Sequence, residues 1–99
     1  MKKLYNCSAE YSTYSLISYN TEIINFNCEE YLCVMRNYRS NTTLMHVRKY
    51  IKKLREEGFN GRGNIVQALY DYASKQKYYK YIVMDITRKI IGFIGDLYE

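Results

Sequence analysis

The chain has no proline and no tryptophan, one histidine and three cysteines among its 99 residues. With a single imidazole and no C-x-x-C pair, a structural zinc site would need unusual ligands. Cys7, Cys28 and Cys33 are therefore expected as free, buried thiols in a reducing compartment. No apolar run reaches the length of a signal peptide or a membrane span. The start, M-K-K-L-Y-N-C-S-A-E-Y, is basic and then polar, so a cytoplasmic protein is expected. The carboxylates fall in no D-x-D or H-E-x-x-H spacing, and neither G-K-[ST] nor a complete G-x-G-x-x-G occurs. Nothing near His46 marks an activated nucleophile, so this residue is read as packing or bonding a backbone group near a helix start. The expectation is a protein without catalysis, metal or cofactor.

What is present suits one small α+β domain over residues 1–99, long enough to bury a core without disulfides or metal. Hydrophobic residues make up 47% and charged residues 25%, which excludes wholesale disorder. Fifteen Lys and Arg against ten Asp and Glu leave a net charge of +5. That balance suits an anionic partner, nucleic acid or an acidic protein surface, and equally suits simple solubility, for which a small domain carries a net charge of about 2 to 8. The thirteen tyrosines accompany many Asn, Ile and Lys residues, the profile of an AT-rich coding sequence. Their number therefore says little about aromatic binding.

The strongest local signal is S-N-T-T-L-M-H-V-R-K-Y-I-K-K-L-R-E-E-G, Ser40 to Gly58. Ser40, Asn41 or Thr42 can cap a helix there, and Gly58 stands where a left-handed residue would end it. Leu44, Val47, Ile51 and Leu54 line one side at helical spacing and are expected in the core. Arg48, Lys49, Lys52, Lys53 and Arg55 fall on the other side. On nucleic acid these cations would meet phosphates, with nearby tyrosines stacking on unpaired bases. On a protein they would dock against carboxylates. The third reading is a solvated face partly neutralised by Glu56 and Glu57.

Before this helix, Thr13–Tyr19, Thr21–Phe26 and Tyr31–Tyr38 read as strands, the first two joined at Tyr19-Asn20. Alternation in the third puts Leu32, Val34 and Arg36 on one face and Tyr31, Cys33 and Met35 on the other. Met1 to Ser12 is left as an edge strand or a loose segment. After it, the loop F-N-G-R-G-N leads to a second helix capped by Asn64, with Ile65, Leu69, Tyr72 and Ala73 inward. The loop from Gly58 to Asn64 has three glycines and Arg62, and is either a phosphate cradle or a tight connection between helices. Tyr79–Met84 and Lys89–Ile94 read as a hairpin turning near Asp85 to Arg88. Its arms are apolar on both faces, suited to burial or to pairing with a second copy. The order β-β-β-α-α-β-β points to a small antiparallel sheet with two helices packed on one face.

Ser18-Tyr19-Asn20-Thr21, Ile24 and Ser40-Asn41-Thr42-Thr43-Leu44-Met45-His46-Val47 together resemble segments of small phage and mobile-element proteins of Gram-positive bacteria. Those proteins carry S-Y-x-T in a hairpin, then Y-S-x-T-T-x-x-H-[IV] leading into a helix. The likeness covers about a third of the chain, with Arg39 between Tyr38 and Ser40 as one extra residue. The amino-terminal segment is also similar to one in some staphylococcal inhibitors of the Cas9 nuclease. The resemblance implies a small anti-CRISPR-like protein that binds a host nuclease, with Cas9 or its guide RNA as partner. A positive net charge speaks against imitation of DNA, which needs an acidic surface.

Overall fold

The fold is built around α1, Asn41–Glu56, in a computed structural model that describes residues 1–27, 32–36, 40–75, 81–85 and 92–97. Ser40 is its N-cap: its hydroxyl accepts from the Thr43 N–H at 3.4 Å, satisfying one donor the helix cannot pair itself. At the other end Gly58 adopts φ +84°. The Phe59 N–H bonds to the Leu54 carbonyl at 2.8 Å and the Gly58 N–H to the Arg55 carbonyl at 3.1 Å. That pair of bonds is the Schellman termination, and Gly58 is the residue that reaches positive φ without a Cβ clash.

The buried residues of α1 are Thr43, His46, Val47, Tyr50, Ile51 and Leu54, recurring at steps of three and four. Val47, Ile51 and Leu54 were expected in the core, but Leu44 is only half-buried. The inward stripe is rotated from the purely aliphatic one by two polar residues, Thr43 and His46, and by Tyr50. A stripe drawn through aliphatic residues alone overlooks them.

The strands form one antiparallel sheet in sequence order: β1 Lys2–Lys3, β2 Ala9–Tyr11, β3 Ser15–Ser18, β4 Thr21–Asn27, β5 Leu32–Arg36, β6 Tyr81–Asp85 and β7 Gly92–Leu97. The three expected early strands are β3, β4 and β5. The segment before them, expected as an edge strand or loose, supplies two short strands, with β1 at the edge of the sheet. The helices are inserted between β5 and β6, which pair directly with each other. Tyr11, Leu16, Ile24, Met35 and Ile82 stand opposite one another from strand to strand and are all buried. Cys33 and Met35 face inward while Leu32, Val34 and Arg36 stay half-buried, as alternation predicts. Between β3 and β4 the pairing jumps from Leu16–Ile24 to Ile17–Glu22, leaving Ile23 as an extra, bulged residue. The bulge explains why two consecutive isoleucines, Ile23 and Ile24, are both buried. The turn of the last hairpin lies outside the described residues, except for Asp85, which ends β6.

Helix α2, Asn60–Lys75, starts five residues before Ile65, where the sequence reading has it begin after a cap at Asn64. Gly61, Arg62, Gly63 and Asn64 are therefore helical: of the stretch read as either a phosphate cradle or a tight connection between helices, only Gly58 and Phe59 connect the helices and the rest is the first turn of α2. Two glycines weaken a helix by about 1 kcal/mol each, but tertiary packing requires one of them. A Cβ on buried Gly63 would lie 2.9 Å from the Arg55 Cγ, so the close approach of α2 to α1 excludes a side chain there. Inward from α2 come Val66, Leu69 and Ala73, while Ile65 and Tyr72 are half-buried. The described buried apolar residues form one cluster between the sheet and the helices, with α1 against β3 and α2 against β6. Each fully buried Leu, Ile or Val in it stabilises the fold by about 1.5–3 kcal/mol.

Candidate functional site

Two surfaces of α1 carry the chemistry of the molecule, one buried at its N-terminal end and one exposed along its length. At the N-terminal end the β3–β4 hairpin closes with a two-residue loop, Tyr19-Asn20, between the paired Ser18 and Thr21. Both loop residues have positive φ, 49° and 64°, as a type I′ turn demands to match strand twist. The hairpin brings Ser18 against α1. Its hydroxyl lies 2.8 Å from the His46 Nδ1 and 3.3 Å from the Thr43 hydroxyl. All three residues are buried, between 1% and 4% exposed. The Tyr19 ring stacks obliquely on the imidazole, with centroids 5.5 Å apart.

The resembling segments S-Y-N-T and T-T-L-M-H thus meet in space. What they build is a polar lock between hairpin and helix. Burial holds the His46 pKa below its ordinary value, helped by the Lys49 charge, so the imidazole is kept neutral. A hydroxyl on an imidazole nitrogen is also how a serine nucleophile is activated. Here the hydroxyl is sealed from solvent and its other neighbour is Thr43 rather than a carboxylate, an arrangement suited to positioning. Sequence reading missed Ser18 and Thr43, because two hydroxyls distant in sequence give no local sign that they share a pocket. The S-Y-x-T and T-T-x-x-H segments of the resemblance contain both residues but carry no sign that they meet.

Along α1 the predicted cations separate into two groups. Arg48, Lys52 and Arg55 are exposed, on the same stripe as Met45, whereas Lys49 and Lys53 are half-buried on the flank. That flank is covered by the β1–β2 connection. The Lys53 ammonium lies 4.9 Å from the centre of the Tyr5 ring and 3.9 Å from a Glu56 oxygen, and the Lys49 ammonium is 3.8 Å from the Cys7 sulfur. The Lys52 ammonium is 5.9 Å from the same Tyr5 ring. On the α2 side the Arg48 guanidinium sits 5.6 Å from the Tyr70 ring, and Arg55 donates to the Asn64 side chain at 3.4 Å. Aromatic faces and an amide leave the positive charges in place, so the stripe stays cationic. Within α1 itself the only carboxylate is Glu56, in its last turn.

Arg62 does not join this stripe. Its guanidinium is turned toward the sheet, donating to the Thr13 carbonyl at 2.9 Å and lying over the Tyr14 ring at 4.3 Å. It is half-buried, and it ties the start of α2 to the β2–β3 turn. Of the three cysteines, Cys7 and Cys33 are free thiols, half-buried and buried. Burial pushes the Cys33 thiol up to about 12. Cys28 lies outside the described residues. Among the described residues no cluster of His, Cys, Asp and Glu could hold a metal ion, and no helix is long and apolar enough to cross a membrane. Comparison with protein-family models, with curated proteins and with solved structures finds no match to this chain.

Proposed function

We propose that this chain is a non-enzymatic binding protein of a phage or mobile element that inhibits a host nuclease complex, with Cas9 as the partner in the host cytoplasm. The observation that carries the binding mode is the exposed stripe of Arg48, Lys52 and Arg55 on a helix whose only acid is in its last turn. Such a face attracts a carboxylate-rich protein surface and speeds its capture. Lys49 and Lys53 add to the field from the flank. Inactivity as an enzyme is supported by the sealed position of His46, the only histidine. The nuclease as partner rests on the resemblance in the S-Y-N-T and T-T-L-M-H segments.

Interference assays test the proposal: Cas9 cleavage of a target DNA should fall in the presence of this protein and recover with an Arg48→Glu/Lys52→Glu/Arg55→Glu variant. Undiminished cleavage by Cas9 effectors sinks the nuclease reading. The runner-up is a nucleic-acid-binding regulator, favoured by the Tyr5 and Tyr70 rings beside the same cations. It requires affinity for RNA or DNA that falls steeply with salt, with a log–log slope of about −0.7 to −0.9 per phosphate contacted.

A further inference from the structure

The stripe does not end at its charges. Met45 opens it, 44% exposed, and Arg48, Lys52 and Arg55 continue it along about 15 Å of helix. Next to Met45 in sequence is His46, and on the imidazole lies Tyr19, which is 57% exposed. Tyr19 is an unusual residue to find there. It occupies a left-handed position, φ 49°, where Gly, Asn or Asp is the unstrained choice and a bulky ring is not. The turn is also firmly held, with the Tyr19 N–H on the Ser8 carbonyl at 3.1 Å and Ser18 locked to His46 beneath it. A strained, exposed aromatic on a rigid support is the form a binding anchor takes, because the ring is presented with little freedom left to lose.

Resting on the cationic-face reading above, we infer that the Tyr19–Met45 corner is the apolar anchor of the docking surface, and that its partner is an acidic protein surface containing a hydrophobic socket beside the carboxylates. Charge complementarity to Arg48, Lys52 and Arg55 sets the acidic character. Tyrosine, methionine and arginine together are the residue types concentrated at the centres of protein–protein interfaces. The socket takes Tyr19 and Met45, and the surrounding carboxylates take the stripe.

The test titrates the full chain with three synthetic probes: a Glu/Ser peptide, a peptide of equal length and charge in which Leu and Phe replace some Ser, and an oligothymidylate. The same titrations are run on Tyr19→Asn and on Arg48→Glu/Lys52→Glu. The mixed peptide should bind about tenfold more tightly than the plain acidic one. Tyr19→Asn should erase that preference while leaving the plain peptide within about twofold, and the charge variant should abolish both. Asparagine suits positive φ, so the thermal midpoint of Tyr19→Asn should hold or rise. A midpoint that falls with peptide preference intact assigns the ring to packing on His46 and overturns the anchor. A chain that binds both peptides equally also overturns it, while the cationic-face reading survives. Failure to bind either peptide removes both readings. Oligothymidylate binding lost in Tyr19→Asn, without any peptide preference, assigns the ring to base stacking and overturns the protein socket.

Discussion

The two ends of α1 are fastened to the sheet by different chemistry. At the N-terminal end neutral groups, Ser18, Thr43 and His46, share hydrogen bonds in a sealed pocket. At the C-terminal end the fastening uses charge: the Tyr11 hydroxyl donates to the Glu57 carboxylate and the Tyr5 hydroxyl to Glu56 at 2.9 Å. Both glutamates are exposed. A buried ion would pay a large desolvation cost, so the sealed end excludes charge, whereas carboxylates that remain wet can be used freely at the other. The sealed end should therefore be the stronger fastening and the one sensitive to protonation, and the wet end the weaker and more tolerant.

The largest expected effect is at the sealed end. His46→Ala removes a buried ring and takes from the Ser18 hydroxyl its imidazole partner, leaving it with Thr43 alone, which should cost about 2–4 kcal/mol in chemical denaturation. A loss under about 1 kcal/mol would erase the difference between the ends. Next comes protonation. The folded pKa of His46 lies below its ordinary 6.5, so the unfolded chain binds the proton more readily. Stability is full above 6.5 and falls as the pH drops from there toward the folded pKa. Thermal midpoints from pH 8 to pH 5 should show this slope, and His46→Gln, which cannot titrate, should flatten it. If both proteins lose stability in parallel, other groups are responsible.

At the wet end, Tyr11→Phe should cost about 1 kcal/mol, less than a bond to a buried charged acceptor is worth, because the Glu57 carboxylate is exposed to water and the buried ring stays in place. Burial and the Glu57 bond push the Tyr11 phenol up to about 12, so it stays protonated and goes on donating throughout the neutral pH range. The smallest effect is expected for Lys53→Ala, which breaks the partly exposed 3.9 Å pair with Glu56 and the contact with the Tyr5 ring. It should shift stability by less than about 0.5 kcal/mol, and that shift should vanish in high salt. A Lys53→Ala loss equal to that of His46→Ala would show that the wet end carries as much as the sealed one.

These contrasts also mark where sequence reading succeeds. The cap at Ser40, the stop at Gly58, the Tyr19-Asn20 turn and the alternation in β5 are local, each decided by residues within a few positions of one another. The misplaced start of α2 has a different origin. Glycines at 61 and 63 and arginine at 62 read as loop chemistry, yet the Schellman turn reverses the chain by Phe59, and Gly63 is needed for contact with Arg55. Arg62 then follows the helix inward to Thr13 and Tyr14, away from the phosphate contact that the loop reading offered it. Leu44 illustrates the same limit, because an aliphatic pattern cannot show that Thr43 and His46 are satisfied inside by Ser18 from another element.

By itself, the amino-acid sequence determined the α+β class, the amphipathic helix with its cationic outer side, and the apolar alternation of the strands, since these follow from periodicity and local backbone preference. Only the tertiary structure decided which cations remain exposed, that Arg62 turns inward, and that Ser18, Thr43 and His46 form one pocket beneath Tyr19. Those outcomes depend on which side chains the folded chain brings within hydrogen-bonding distance, and residues 25 and 28 positions apart carry no sign of that meeting until the sheet and the helix are packed.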